Sequence, residues 1–155
     1  MSEISVRPAL ATDRDGIAAL LGEVDKFYGD DAPESPETRV RQISEVLGNQ
    51  DAGGVQVIVA QDHAGLLAGF ASFSNLWPAA GSTSSLYLKE LYVQESYRSI
   101  GVGRVLMQHL IEIARDRGFS RVEWTTDTSN QDAQGFYEKL GFSPRSGKLF
   151  YRAEL

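Results

Sequence analysis

A strand-like run ending at Val93 leads into Gln94-Glu95-Ser96-Tyr97-Arg98-Ser99-Ile100-Gly101-Val102-Gly103-Arg104, and a helical pattern begins at Gly103. Gly101 and Gly103 carry no Cβ, so successive backbone N–H groups can converge on an anion at close range. A helix start adds about half a unit of positive charge, and Arg98 and Arg104 supply full charges beside it. Together these features make a phosphate cradle. The same two glycines would also serve merely to shape a strand-to-helix turn. The loop lacks the lysine of a P-loop and the third glycine of a dinucleotide fingerprint, which argues against those nucleotide classes.

Other chemistries are excluded by what the chain lacks. It contains no cysteine, so there are no disulfides, no thiolate metal sites and no thiol nucleophile. Its two histidines, His63 and His109, are too far apart in sequence to suggest a histidine-based triad or zinc site, and no metal is expected. The formal net charge of −6 opposes non-specific nucleic-acid binding, which needs basic surface, and is compatible with a cationic small substrate. No apolar run reaches the ~18 residues of a membrane span. Met1 to Ser5 lacks the basic and apolar regions of a secretory signal, so a cytoplasmic location is the default expectation.

The elements that must position the loop can be read from periodicity. At 155 residues, 42% apolar and 23% charged, the chain has the size and balance of one globular domain, residues 1–155. Ile4 to Arg7 reads as a short first strand. Thr12 or Asp13 is placed to cap a helix carrying Ile17, Leu20, Leu21, Val24 and Phe27 on one face and stopped by Gly29. Ser35 and Pro36 occupy the N-cap and N1 positions of a second helix, with Val40, Ile43 and Leu47 inward. Val55 to Gln61, Leu66 to Leu76 and Leu86 to Val93 read as strands, the first two joined by a turn at Asp62-His63-Ala64-Gly65. In the third, Tyr87, Lys89, Leu91 and Val93 alternate with Leu88, Glu90 and Tyr92. A helix from Gly103 to Arg117, a strand from Val122 to Thr126, a helix from Gln131 to Leu140 and a last strand from Leu149 to Ala153 complete the order. Short turns make the three sequential strands antiparallel, while the strand-helix-strand unit around 86–126 needs a parallel crossover. The expected architecture is α/β: a mixed, mostly antiparallel central sheet with helices on both faces.

Two segments carry a resemblance. Arg98-Ser99-Ile100-Gly101-Val102-Gly103 resembles the pyrophosphate loop, Arg/Gln-x-x-Gly-x-Gly/Ala, of the GNAT superfamily of N-acetyltransferases. Asn130-Gln131-Asp132-Ala133-Gln134-Gly135-Phe136-Tyr137-Glu138-Lys139-Leu140-Gly141-Phe142 resembles its second signature, Asn-x-x-Ala-x-x-Phe-Tyr-x-x-x-Gly-Phe. The resemblance implies an acyl-CoA-binding fold with acetyl-CoA as cofactor. It implies that Leu91-Tyr92-Val93 splays from the strand at Val122 to Thr126, leaving backbone groups to bind the pantetheine arm. Arg98, Ser99, Ile100, Gly101, Val102, Gly103 and Arg104 would hold the pyrophosphate, Asn130 would contact the arm, and Tyr137 would lie near the sulfur. It also implies a homodimer.

The reaction asks little of the protein. An alkylamine with a pKa of about 10.4 is almost entirely protonated at pH 7, so a carboxylate or a water chain must take its proton. Backbone N–H groups on the splayed strand can stabilise the oxyanion, and the departing thiolate needs a proton. Tyr137 is the candidate acid, or alternatively a tyrosine packing the last helix. Glu90, on the strand leading into the loop, is the candidate base, or alternatively a solvent-side carboxylate paired with Lys89.

The acceptor is less legible. Ile4-Ser5-Val6-Arg7-Pro8-Ala9 with Asp13, Phe73-Ser74-Asn75-Leu76-Trp77 and Leu86-Tyr87-Leu88-Lys89-Glu90-Leu91-Tyr92-Val93 look like the diamine and thialysine acetyltransferase branch. That branch has two adjacent acids where this chain has Lys89-Glu90. Tyr28 and Trp77 are candidate walls of an acceptor pocket. Asp31, within the acidic run Asp30, Asp31, Glu34 and Glu37, is a candidate attractor of a cation; a solvated charge run is the alternative. A small amine (polyamine, amino acid or amine-bearing antibiotic) is the expected substrate, with a protein or peptide acceptor and a non-catalytic CoA sensor as alternatives.

Overall fold

The computed structural model describes residues 3–29 and 34–155; Asp30 and Asp31 lie outside them. Residues up to Trp124 form one compact unit and Thr125–Leu155 a second.

The first unit contains a five-stranded sheet in the order β1 (Ser5–Pro8), β2 (Gln56–Gln61), β3 (Leu67–Leu76), β4 (Ser85–Val93) and β5 (Arg121–Glu123). The first four pair antiparallel and β5 joins β4 in parallel, as the sequence predicts. Helices α1 (Arg14–Phe27) and α2 (Pro36–Gly48) precede β2, and α3 (Val102–Asp116) makes the crossover from β4 to β5. Ser35 caps α2 through its side chain, which accepts from Thr38 N at 3.2 Å, with Pro36 in the first turn. Asp13 stands at the N-cap position of α1, but its side chain does not cap that helix. A one-turn 3-10 helix, Ala11–Asp13, comes first, and the carboxylate instead accepts from Leu10 N at 2.7 Å and pairs with Arg7.

Period-two alternation on β2 and β3 supplies both faces of the core. Val57, Val59 and Phe70 pack with Ile17, Leu20, Ile43 and Leu47 of α1 and α2. Ile58, Ala60, Gly69, Ala71 and Phe73 take the opposite face by register, where a Cβ on Gly69 would meet Leu106 of α3. Val59, Leu86, Leu106 and Leu110 are completely buried, each side chain contributing roughly 1.5–3 kcal/mol.

Three local expectations are corrected. Lys89 is an extra residue in β4: Ser72 faces Glu90 and Phe73 faces Leu88. This bulge shifts the side-chain phase, so Leu88 shares a face with Leu91 and Val93, not with Glu90 and Tyr92. The strand expected over Val122 to Thr126 is the three-residue β5. The strand expected over Leu149 to Ala153 is absent; Leu149, Phe150 and Tyr151 are 80%, 67% and 83% exposed. β-propensity describes fit to a pleated neighbour rather than a backbone preference, and among the described residues no strand pairs with this segment. The second unit contains α4 (Gln131–Lys139), and Gly141, at φ +93°, takes the left-handed turn that follows it.

Candidate functional site

The site is built at the end of β4. The β4–β5 ladder stops at Tyr87↔Glu123, while β4 runs on to Val93 beside β3 alone. Leu91-Tyr92-Val93, the stretch for which a splay is expected, thus lies beyond the end of the β4–β5 ladder. The chain then climbs through a one-turn 3-10 helix, Glu95–Tyr97, into the loop. Arg98 folds back, its Nε donating to the Val93 carbonyl at 3.0 Å and its guanidinium lying 5.5 Å from the Tyr92 ring centroid. The loop and the end of β4 are thus brought together.

Ser99 and Gly101 both take positive φ, +66° and +94°. Gly101 is the N-cap of α3 and offers no side chain to its first turn, and the space beyond its Cα is open. Left-handed turns leading into a helix start without a side-chain cap are backbone geometry in which N–H groups can converge on an anion. Arg98, Ser99 and Ile100 are exposed around this opening. The open space at Gly101 and the charges of Arg98 and Arg104 are compatible with a pyrophosphate, which would also meet the dipole of α3.

On the α1 face of β4, register aligns Glu90 and Tyr92 with Ser72 and Phe70. Tyr92 packs against the apolar cluster of α1, α2 and the sheet, and its hydroxyl donates to Glu23 Oε1 of α1 at 3.3 Å. Burial, and then the Glu23 carboxylate, push its pKa above the usual phenol value, against the pull of Arg98. Glu23 did not stand out in the sequence: it is one of several acids along α1, and its partner is 69 residues away. Tyr97 and Asp62 form a second such pair; the Tyr97 hydroxyl donates to Asp62 Oδ2 at 2.7 Å.

Tyr28 follows α1, exposed and edge-on to Phe27 at 5.2 Å. Trp77 is 70% exposed at the Leu76↔Ser85 end of the β3–β4 ladder, the end opposite the loop, and its indole N–H donates to the Ser82 carbonyl at 3.0 Å. Asp31 falls outside the described residues. Glu34 is engaged with Arg39, which also binds Asp25, and Glu37 lies in the first turn of α2.

In the second unit, Asn130 caps α4, its Oδ1 accepting from Ala133 N at 3.1 Å. Tyr137 stands mid-helix, half-buried, with its ring 5.0 Å from that of Phe136. The backbone turn closes on it, since Phe142 N donates to the Tyr137 carbonyl at 3.0 Å.

Residues 18–142 match the model of the acetyltransferase (GNAT) family. The chain belongs to that family. It is a GNAT N-acetyltransferase. An L-methionine sulfoximine/L-methionine sulfone acetyltransferase of Pseudomonas aeruginosa is 29% identical over 96% of this chain and 88% of its own. A thialysine N-epsilon-acetyltransferase of Caenorhabditis elegans is 28% identical over 62% of this chain and 57% of its own. Among solved structures, an integron cassette protein from the mobile metagenome of V. cholerae superposes with a TM-score of 0.82 at 28% identity, covering 97% of this chain and 92% of that one. GNAT membership accounts for both signature segments, since the matched residues include them.

Proposed function

We propose that the protein transfers the acetyl group of acetyl-CoA to a primary amine of a small molecule, by direct attack within a ternary complex. The observation that carries this reading is the end of β4, where the ladder to β5 stops and the left-handed Ser99 and Gly101 lead into the uncapped start of α3. That is the combination a pantetheine pyrophosphate needs, an extended strand for the arm and converging amides for the phosphates. The two relatives that act on amino-acid analogues support a small amine as acceptor.

In this reading Glu90, directly or through one water, takes the proton of the acceptor ammonium. The freed nitrogen attacks the thioester carbon while N–H groups of Leu91 to Val93 hold the oxyanion. The C–S bond breaks as the amide forms, the Tyr137 hydroxyl gives its proton to the departing sulfur, and the second proton shed by the nitrogen returns, directly or through water, to the phenolate. The products are an acetamide and free CoA thiol.

The test is release of CoA, followed with a thiol reagent, from acetyl-CoA and a panel of amines; the chain has no cysteine to react. Turnover should depend on one class of small amine. Tyr137→Phe should lower kcat by about a hundredfold or more, the usual size of a general-acid contribution, with CoA affinity retained. Turnover with peptide acceptors alone would overturn the small-amine assignment. CoA binding without turnover on any amine would make the protein a sensor.

A further inference from the structure

We infer that Asp62 and Tyr97 form a positioning brace that holds the cofactor loop in its binding conformation; the inference rests on the reading of that loop as the CoA pyrophosphate site. Asp62 opens the β2–β3 turn and is 9% exposed. Its two carboxylate oxygens divide their work. Oδ1 accepts from the N–H groups of Ala64 and Leu66, both at 2.9 Å, and closes the turn on itself. The backbone already closes the same turn, through Asp62 N to the Leu66 carbonyl at 2.9 Å and Gly65 N to the Asp62 carbonyl at 3.0 Å. Oδ2 contributes nothing to the turn. It accepts the hydroxyl of Tyr97 at 2.7 Å, across 35 residues of chain.

Tyr97 is the last anchored position before the cradle. The ladder ends at Gly69↔Val93; Gln94 N then donates to the Ala68 carbonyl at 2.8 Å, and Tyr97 N to the Gln94 carbonyl at 2.9 Å. The segment is therefore tied to the hairpin twice, by Gln94 at its start and by the Tyr97 side chain at its end. Arg98, Ser99, Ile100 and Gly101, which follow, are all exposed. Ser99 nevertheless holds φ at +66°, a region that penalises any residue with a Cβ and persists only where surroundings impose it. On one side the start of α3 fixes the chain; on the other the fixed points are Tyr97 and Arg98, whose Nε donates to the Val93 carbonyl at 3.0 Å. The brace thus sets the direction in which the chain enters the left-handed turns, and with it the aim of the amides. An Asn or Ser at position 62 would suffice for the turn alone. The second oxygen, fixed on a tyrosine beside the loop, is what the turn does not require.

Calorimetric titration of the full-length protein with CoA, alongside thermal melting, tests this. Tyr97→Phe should weaken CoA binding about tenfold, the scale of one hydrogen bond to a charged acceptor, and raise KM for acetyl-CoA while leaving KM for the amine unchanged. Ser99→Gly removes the penalty at φ +66°, so most of that loss should be recovered when Tyr97→Phe is added to Ser99→Gly and compared with Ser99→Gly alone. Asp62→Asn, which keeps Oδ1 for the turn and can donate from its amide to Tyr97 Oη, should bind CoA better than Asp62→Ala at a similar melting temperature. CoA affinity in Tyr97→Phe equal to wild type, or no recovery by Ser99→Gly, overturns the brace. Should Tyr97→Phe not fold, equal CoA affinity in Asp62→Asn and Asp62→Ala overturns it instead. If the wild-type protein itself binds no CoA, it is the proposed function that fails, a result separable from either.

Discussion

Arg7 and Asp13 meet in a two-pronged ion pair, Nη1 to Oδ2 at 2.7 Å and Nη2 to Oδ1 at 2.9 Å, while Leu10 N adds a third donor at 2.7 Å. The carboxylate is 9% exposed, so its charge is sustained by these partners rather than by water. The Arg7 hydrogen bonds hold its pKa below the ordinary value, with Leu10 N assisting and burial opposing. A depressed folded pKa means that the stabilisation is complete above the unfolded value, near 3.9, and is lost as pH falls through the folded one. Asp13→Asn should therefore cost about 1.5–3 kcal/mol at pH 7, measured by denaturant unfolding, and the gap to wild type should close as the pH drops below about 4. A gap that persists unchanged at acid pH would show that the charge is not what the pair contributes. The contrast with the site residues lies in range. Arg98, Gly101 and Gly103 can be proposed from sequence because the chemistry of an anion loop is local, written within six residues. The links from Tyr92 to Glu23 and from Tyr97 to Asp62 join partners 69 and 35 residues apart, and no spacing rule reports on a contact that only the fold creates.

At the scale of elements, β3 and β4 lie so close at the loop end that only glycine fits. A Cβ on Gly69 would stand 2.5 Å from the Tyr92 carbonyl oxygen and 3.3 Å from Val93 Cα, with Leu106 of α3 behind at 3.5 Å. The first two are backbone and cannot rotate away. Gly69→Ala should then force β3 from β4 at the Gly69↔Val93 pair, costing about 1–3 kcal/mol and raising KM for acetyl-CoA, because the displaced backbone is the strand that would receive the cofactor arm. Unchanged stability in a melt would mean that the two strands separate freely. Helix α2 was readable from Ser35 and Pro36 because capping chemistry is confined to a few neighbouring residues. The Lys89 bulge was not, since Leu88-Lys89-Glu90-Leu91 alternates acceptably in either phase, and only the pairing with Ser72 and Phe73 shows which residue is extra. Residues 149–153 have strand composition without a strand, for the complementary reason: composition states a preference, and a sheet requires a partner.

Over the whole molecule, 21 acids stand against 15 lysines and arginines, a net charge of −6. Some of these charges cancel locally, as Asp13 does with Arg7, while Asp25 and Glu34 share the single positive charge of Arg39. The surplus remains, and it opposes the approach of a polyanionic cofactor while favouring a cationic amine. In the proposed function, Arg98, Arg104 and the start of α3 would have to bind phosphate through contacts short enough to outweigh a repulsion that acts at longer range. The two substrates should accordingly differ in their response to salt. Fields between exposed charges are screened beyond about 10 Å at 0.1 M ionic strength, so raising salt should remove the steering of the amine first. We expect kcat/KM for a cationic amine to fall severalfold between about 20 and 200 mM salt, a range that shortens the screening length to below 10 Å, while an aromatic amine that is neutral at the assay pH shows little change. Parallel salt curves for the charged and uncharged acceptors would mean that the acidic surface has no part in substrate capture, and that any preference for cations resides in Glu90 and its immediate neighbours.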